Sequence, residues 1–146
     1  MSAMDTKPVA ARFYEEVING RKLEVFDEIV DVGLKAQTAG MQQDRREWRS
    51  MLAGVLDAFR DYHQVVHDWV ADGDKVVARW TIEGTQTGVY AGVPATGRKV
   101  KASGIEVFRI NNGKIVEQWC DLDFFGVLRQ LGAVPALDEL GKRSFR

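Results

Sequence analysis

The segment GKIVEQWCDLDFFGVLRQLG, residues 113–132, has the pattern of a strand that leaves a turn and runs into a helix. Near the end of this strand, Asp121 and Asp123 are separated by one residue, and Trp119 precedes them. Residues two apart in a strand point to the same side of the sheet. The segment therefore predicts a tryptophan and two carboxylates on one face of a sheet.

The preceding strand predicts what lies opposite the two acids. With Asn112-Gly113 as a two-residue hairpin turn, Gly104 falls opposite Asp121 and Ala102 opposite Asp123. Such small residues leave empty volume beside the carboxylates, as the floor of a pocket requires. A three-residue turn would shift this register and weaken the inference.

Further elements complete an α+β pattern around this hairpin. An alternation of period two indicates strands in HQVVHDWV (residues 63–70), KVVARWTIEG (75–84), KVKASGIEVFRI (99–110) and KIVEQWCDLD (114–123). Helical spacing predicts a helix capped by Thr6 that ends at Asn19-Gly20, and a short helix through residues 23–29. A third helix starts at a capping box of Asp44 and Glu47, whereas residues 31–43 have no clear pattern.

A closing helix begins near Phe124. Helices followed by antiparallel strands predict one α+β domain, residues 1–146, with a curved sheet wrapped around the helices. The glycine-rich loop from Gly84 to Gly97 lies between the two middle strands and is placed to close the mouth of a pocket.

Glu106 and Asp123 each allow two interpretations. Glu106 shares its strand face with alanine, glycine, phenylalanine and isoleucine, so it must find a partner, be neutral or face a cavity. The alternative is a strand edge or bulge that turns it outward. For Asp123, the alternative to a pocket carboxylate is a cap on the helix that follows.

The two histidines of the chain give a weaker signal. With Asp72-Gly73 as the turn of the first hairpin, His63 and His67 both fall on the apolar face. A histidine there is more often a satisfied core residue than a ligand. Along a strand the two lie about 13 Å apart, which excludes one shared metal ion.

The composition excludes several classes of function. A formal net charge of -1 gives no electrostatic reason to expect nucleic acid or an anionic membrane as partner. The single cysteine excludes an intrachain disulfide and a cysteine-built metal site. No apolar run is long enough to span a bilayer and no signal peptide is evident, so we expect a cytoplasmic protein.

Four stretches resemble one known family. RFYEEVING (residues 12–20), VADGDKVVARWTIEGTQTG (70–88), GVPATGRKVKASGIEVFRINNGKIVEQW (92–119) and LDFFGVLRQLG (122–132) together resemble SnoaL-like polyketide cyclases, which have the nuclear transport factor 2 fold. The resemblance covers residues 9–132 and is weakest over residues 31–45. It implies a cone-shaped barrel, in which a curved antiparallel sheet wraps around the N-terminal helices and encloses a deep apolar cavity.

The resemblance also implies a reaction. Cyclases of this kind use no cofactor and close the last ring of an aromatic polyketide by an intramolecular aldol reaction, with an aspartate as general acid/base. By its position four residues after Trp119, that aspartate is Asp123. The chain departs from the family where histidines are usual, with Glu106 on one strand, Gln118 before Trp119, and Gln37 on the first strand. These departures change which side chains of the pocket can donate or accept a proton.

We therefore expect a cofactor-independent acid/base enzyme that acts on a hydrophobic polyketide-type substrate and needs no metal. Asp123 is expected to be the principal catalytic residue. Asp121 and Glu106 are expected to belong to the catalytic set as well, where either one raises the pKa of its neighbour. The residues expected to contact the substrate are Tyr14, Trp48, His67, Trp80, Tyr90, Trp119 and Phe125. Alternatives are a related cofactor-free isomerase, dehydratase or hydroxylase, and a non-catalytic small-molecule binding module, in which Asp123 would point outward as a cap.

The outer face of the predicted sheet carries a second expectation. In the predicted register, Ile105, Val107, Cys120 and Leu122 lie opposite the acid-bearing side. Apolar side chains there need cover. We therefore expect a homo-oligomer, in the first place a dimer, as the resemblance also implies.

Overall fold

A computed structural model describes residues 3–135 and 137–142, with side chains described from residue 6 onward. Its helices are α1 (Ala3–Arg12), which continues as a π-helical segment (Phe13–Asn19), α2 (Leu23–Ile29), α3 (Arg45–Ala58), α4 (Phe124–Gln130) and α5 (Leu137–Leu140). Its strands are β1 (Val30–Thr38), β2 (Met41–Gln43), β3 (His63–Asp72), β4 (Lys75–Thr85), β5 (Lys99–Asn111) and β6 (Lys114–Leu122). The four predicted strands are confirmed.

One six-stranded sheet has the order β2-β1-β6-β5-β4-β3. Strands β3 to β6 form successive antiparallel pairs, as predicted. Strand β1, in the stretch without a clear pattern, pairs parallel to β6 and antiparallel to β2. Helices combined with this curved sheet confirm the α+β class.

An aromatic cluster fills the space between the helices and the sheet. Phe13 stacks on Trp48 with ring centroids 5.2 Å apart and meets Phe108 edge-on at 5.4 Å. All three rings are buried, so the π-helical segment, α3 and β5 share one core. Such aromatic pairs contribute about 0.5–1.5 kcal/mol each beyond the area they bury.

The helix starts were predicted with mixed success. The capping box of α3 is confirmed: Asp44 Oδ1 accepts a hydrogen bond from the Glu47 amide at 2.8 Å, and Glu47 Oε1 accepts from the Asp44 amide at 3.1 Å. The cap expected at Thr6 is wrong. Helix α1 already includes Ala3, so Thr6 lies inside it and is buried.

A β-bulge at Val116 changes the register of the β5–β6 hairpin. Asn112-Gly113 is the turn, and Ile110 lies opposite Ile115, both as predicted. The next pair joins Arg109 to Glu117, so Val116 is an extra residue on β6. A bulge of one residue moves every later side chain to the other face.

The predicted floor of the pocket is therefore wrong. Gly104 lies opposite Leu122, and Asp121 lies opposite Ile105 on the outer face. Trp119 is also on the outer face, opposite Val107. Beyond the bulge, the inner-face residues of β6 are Gln118, Cys120 and Leu122, and of these Cys120 and Leu122 were expected on the outer face.

The first hairpin is also shifted. Asp72 pairs with Lys75, so the turn consists of Gly73 and Asp74 rather than Asp72 and Gly73. Strand β5 stabilises this turn, because the Asp74 carbonyl accepts a hydrogen bond from the Ile110 amide at 2.8 Å. A second irregularity follows at His67, and both histidines are exposed rather than on the apolar face.

Candidate active site

The inner face of the sheet, helix α3 and the loop of residues 86–98 enclose a cavity of about 340 Å³. Its walls are mostly apolar, and the larger side chains among them include Trp48, Leu52, Phe59, Trp80, Tyr90 and Phe124. A cavity of this size and character suits a flat hydrophobic molecule with few polar groups.

Glu106 brings a carboxylate into this apolar space. It lies on β5 with 4% of its surface exposed and contributes to the cavity wall. Its Oε1 accepts a hydrogen bond from the Tyr14 hydroxyl at 2.7 Å, and its Oε2 accepts one from Gln118 Nε2 at 2.6 Å. Glu106 thus faces the cavity and has two partners, and the alternative of an outward-turned edge residue is excluded.

Both partners owe their position to local irregularities of the chain. Tyr14 lies in the π-helical segment, whose wider turn sets which side chains meet the sheet. Gln118 points inward because the bulge at Val116 reverses the face of β6. The π-helical segment and the strand bulge therefore each place a hydrogen-bond donor against the same carboxylate.

The environment of Glu106 raises the pKa of its carboxyl group toward neutral pH. Burial raises the pKa of Glu106 to about 7, although the hydrogen bonds from Tyr14 and Gln118 act in the opposite direction. The Trp80 indole also lowers the pKa of Glu106, while its geometry falls short of a hydrogen bond. Burial raises the pKa of Tyr14 well above its usual value, and the charge of Glu106 adds to this, so the phenol remains a donor.

The Trp80 ring lies close to the backbone of β5. It is directly opposite Gly104, where a Cβ atom would come within 2.7 Å of Trp80 Cζ3 and 2.8 Å of the Asp121 carbonyl oxygen. Only glycine leaves room for the indole at this point. Within the described part of the chain, neither Trp80 Nε1 nor Gln118 Oε1 has a hydrogen-bond partner, although both atoms are buried.

The loop of residues 86–98, here called the mouth loop, covers one end of the cavity. The buried side chain of Gln86 organises it: Nε2 donates to the Val93 carbonyl at 2.9 Å, and Oε1 accepts from the Thr96 amide at 3.1 Å and from its hydroxyl at 2.7 Å. Tyr90 packs against Phe59, with ring centroids 5.2 Å apart. The loop is thereby held against the cavity wall.

The two aspartates lie outside the cavity. Asp123 is exposed and caps α4, where its Oδ1 accepts a hydrogen bond from the Gly126 amide at 3.0 Å. This is the alternative interpretation of Asp123, and it is confirmed. Asp121 is exposed on the outer face.

Three of the expected contact residues also lie elsewhere. Trp119 is on the outer face, where the Lys75 ammonium group is 5.8 Å from its ring. His67 is exposed, with Nε2 at 2.9 Å from the Thr81 hydroxyl. Phe125 is 37% exposed and its neighbour Phe124 lines the cavity instead, because α4 turns that residue inward.

The remaining expected residues lie at the cavity. Trp48, Trp80 and Tyr90 line it, and Tyr14 lies directly behind Glu106. Gln118 and Tyr62 also line the cavity and were not predicted. Gln118 stands where the family usually has a histidine, and the bulge at Val116 turns its side chain inward.

Two further properties concern the described residues only. Among them, no three or more histidine, cysteine, aspartate or glutamate side chains are grouped so that they could hold a metal ion. None of the helices in the described ranges has the length and apolar character needed to cross a membrane.

Comparison with known proteins gives one family. The model of the SnoaL-like polyketide cyclases matches residues 8–131. Among characterised proteins, aklanonic acid methyl ester cyclase DnrD from Streptomyces peucetius is 35% identical over 65 residues, which are 44% of this chain and 45% of that protein. The match thus spans less than half the length of this relative.

Solved structures share the fold over almost the entire chain. IdmH from Streptomyces antibioticus, assigned as a polyketide cyclase, is 28% identical with a TM-score of 0.76, covering 87% of this chain and 98% of its own. TsrD from Streptomyces laurentii is 25% identical with a TM-score of 0.81, covering 92% and 99%. AclR from Streptomyces galilaeus is 24% identical with a TM-score of 0.83, covering 92% and 100%, and supports the fold alone.

Proposed function

The chain belongs to the SnoaL-like polyketide cyclase family, and on that premise we propose that it is a cofactor-independent acid/base enzyme. Its proposed reaction is ring closure by an intramolecular aldol addition on a hydrophobic polyketide-type substrate. The observation that carries the proposal is the carboxylate of Glu106, buried in an apolar cavity and held by two hydrogen bonds.

Glu106 supplies both proton transfers of this reaction. Its carboxylate takes a proton from a carbon flanked by carbonyl groups, and the resulting enolate carbon attacks a second carbonyl carbon. The alkoxide formed there takes the proton back from Glu106. A general base works best when its pKa is near the working pH, and burial raises the pKa of Glu106 to about 7.

Tyr14 and Gln118 act as positioning residues. Each donates to a different oxygen of Glu106, which fixes the carboxylate plane and leaves further lone pairs for the substrate proton. The apolar walls supply most of the binding energy and exclude water from the enolate.

Asp123 is the competing candidate, because the family pattern gives it the acid/base role. Asp123 is exposed and its carboxylate caps α4 outside the cavity, so we propose Glu106 as the principal group instead. Asp121, exposed on the outer face, is proposed to have no direct part.

The experiment begins with a thermal-shift screen of anthraquinone-type esters and cyclic ketones. With an active compound, we expect Glu106→Gln to lower kcat about a hundredfold or more and to leave Kd within a few-fold, because most binding comes from apolar contact. Asp123→Asn and Asp121→Asn are the matched controls and should retain most of the activity. Loss of turnover in Asp123→Asn, with Glu106→Gln at the parental rate, would overturn the assignment.

The hydrogen bond between Tyr14 and Glu106 also favours a second candidate, an isomerase. The same carboxylate would move a proton between two carbons of a β,γ-unsaturated ketone, with the enolate as the shared intermediate. Incubation with 3-cyclohexenone distinguishes the two reactions. Isomerisation gives a conjugated ketone with a new ultraviolet absorbance, whereas a compound with one carbonyl group cannot undergo an intramolecular aldol addition.

We further propose that two copies pair through the outer face of the sheet. Val70, Val107 and Trp119 form one row there, and Ile105 lies beside them with 49% exposure. Cys120 and Leu122, expected on this face, are on the inner side, so the apolar area is smaller than predicted. Light scattering should give the mass of a dimer, and Ile105→Lys should give the mass of a monomer.

A further inference from the structure

Two buried polar atoms beside Glu106 have no hydrogen-bond partner among the described residues. One is a donor, Trp80 Nε1–H, and the other is an acceptor, Gln118 Oε1. Both residues line the cavity. Buried polar atoms in native proteins are nearly always paired, so a donor and an acceptor left open in one cavity indicate the chemistry of a ligand.

The surrounding residues fix both atoms in place. The Trp80 ring cannot move toward β5, because it already lies against Gly104 with no side chain between them. The ionised Glu106 carboxylate, which is the base in the proposed reaction, only accepts, so Gln118 turns its nitrogen toward it, and the Thr38 hydroxyl is also 3.5 Å from that nitrogen. The amide oxygen of Gln118 therefore remains free for another group.

We propose that Trp80 Nε1–H and Gln118 Oε1 together bind a β-hydroxy ketone, the unit that an aldol addition creates. The indole N–H donates to the ketone oxygen, and the amide oxygen accepts from the new hydroxyl group. This assignment rests on the proposed function, since it names the substrate class of the same cavity. Trp80 and Gln118 are called the donor–acceptor pair below.

The donor–acceptor pair fits each bond change of the reaction. When Glu106 removes the proton, the C–H electron pair moves into the enolate and negative charge grows on the ketone oxygen, where the indole N–H stabilises it. The enolate carbon then bonds to the second carbonyl carbon, whose π electrons move to its oxygen. That oxygen takes the proton from Glu106 and becomes the hydroxyl that Gln118 binds. One C–H bond and one C=O π bond break, one C–C and one O–H bond form, and no oxidant or reductant is needed.

Simpler ligands satisfy the pair less completely. A plain ketone only accepts, so it can pair with Trp80 and leaves Gln118 unpaired. The hydroxyl of a plain alcohol can donate to Gln118, and it pairs with Trp80 as well only where the same oxygen reaches both atoms. Leaving one buried partner open is penalised more strongly than removing both. A ligand with separate ketone and hydroxyl oxygens supplies one group for each atom.

The test uses three neutral compounds with one bicyclic skeleton. They are 2-(hydroxymethyl)-1-tetralone, 2-methyl-1-tetralone without the hydroxyl, and 2-(hydroxymethyl)-1,2,3,4-tetrahydronaphthalene without the ketone. Calorimetric titration of the parental protein should show about tenfold tighter binding of the first compound than of either other one. Trp80→Phe should remove the advantage given by the ketone, and Gln118→Met the advantage given by the hydroxyl.

Trp119→Phe is the matched control, because it makes the same change on the outer face, and it should retain the parental ratios. A measurement on the parental protein needs no variant to fold: 2-methyl-1-tetralone should shift the indole N–H signal of Trp80 in a ¹H–¹⁵N spectrum. Equal affinities for all three compounds, with an unmoved indole signal, would show that water alone fills the pair. Parental ratios in Trp80→Phe and Gln118→Met would also overturn the assignment.

The outcome is separable from that of the proposed function. If Glu106→Gln abolishes turnover while the three affinities are equal, Glu106 keeps its role and the donor–acceptor pair is wrong. If the affinities follow the expected pattern while Glu106→Gln turns over at the parental rate, the pair stands and the role of Glu106 is wrong.

Discussion

The phenolic hydroxyl of Tyr14 lies 2.7 Å from Oε1 of Glu106, a residue 92 positions later in the chain. The contact joins the π-helical segment to the middle of the sheet. The Tyr14 ring is fixed by edge-on packing against Trp69, with centroids 5.8 Å apart. The hydroxyl therefore sets the protonation of Glu106 from behind the cavity and leaves the front of the carboxylate open.

Removal of this hydroxyl should move the pH dependence of catalysis. The hydrogen bond from Tyr14 lowers the pKa of Glu106, so Tyr14→Phe should raise that pKa further. Because the ionised carboxylate is the base, kcat/KM should rise with pH and its midpoint should move up by about one pH unit in the variant. The measurement is a pH profile of kcat/KM for both proteins.

Tyr62→Phe is the matched control for this profile. Tyr62 also lines the cavity, and burial raises its pKa, but within the described contacts its hydroxyl makes no hydrogen bond to Glu106. The midpoint should stay at the parental value in this variant. Equal midpoints in Tyr14→Phe and the parental protein would mean that another group gives the profile.

Glu106 should make the protein less stable as the pH rises through neutrality. The pKa is about 7 in the folded protein and near 4.5 in the unfolded chain, so between these values the folded state binds more protons. Its contribution to stability is therefore fully present below pH 4.5 and is lost as the pH passes 7. The full difference corresponds to about 3 kcal/mol.

Urea unfolding of the parental protein and of Glu106→Gln, at pH 5 and pH 8.5, tests this. A glutamine cannot ionise, so the variant should gain about 2.5 kcal/mol on the parental protein between the two pH values. The comparison cancels all other titrating groups, and the carboxylates with lowered pKa, such as Asp61 and Asp74, act at more acidic pH. Parallel stability curves would contradict a raised pKa at Glu106.

Gly104 and Gly54 should respond oppositely to the same substitution. In Gly104→Ala the new Cβ would collide with the Trp80 ring and come within 2.8 Å of the Asp121 carbonyl oxygen, so we expect a loss of about 2 kcal/mol or more. Gly54 lies in α3 with no atom within 4 Å of such a Cβ, and Gly54→Ala should stabilise by about 0.5–1 kcal/mol. Thermal unfolding compares them, and equal effects would show that the indole is not fixed by Gly104.

The sequence was a good guide to which residues form strands and a poor guide to their faces. Alternation predicted β3 to β6 because each pairs in an antiparallel hairpin with one apolar side. On β6, however, apolar residues occur on both faces, with Ile115 and Trp119 in one series and Val116, Cys120 and Leu122 in the other. Nothing local shows that Val116 is the extra residue, so the side of every following residue was reversed.

The candidate site shows the same limit. Glu106 was found because a carboxylate among apolar face-mates must be paired, and that argument needs no register. Gln118 is uncharged and its place depends entirely on the bulge, so no local pattern marks it as a site residue. Asp123 fitted two roles equally well from pattern alone, and the cap is a local property that only the helix start could decide. Alternation missed strand β1, which lies between β2 and β6, because its polar residues and a register shift between Val30 and Lys35 leave no clear period of two.

Gln86 should control how firmly the mouth loop closes the cavity. Its buried amide makes three hydrogen bonds within residues 86–98, to the carbonyl of Val93 and to the backbone amide and the hydroxyl of Thr96. Gln86→Met keeps the shape but leaves these groups unpaired, so the loop should open more often. We expect faster hydrogen exchange in a peptide of residues 87–98 and a several-fold higher KM, with kcat changed much less because Glu106 is untouched.

Gln130→Met is the matched control. Gln130 makes hydrogen bonds to both backbone groups of Lys101 and thus ties α4 to β5, so exchange should rise around residue 101 and not in the mouth loop. Unchanged exchange in the loop of Gln86→Met would show that Tyr90, packed against Phe59, is sufficient to hold it closed.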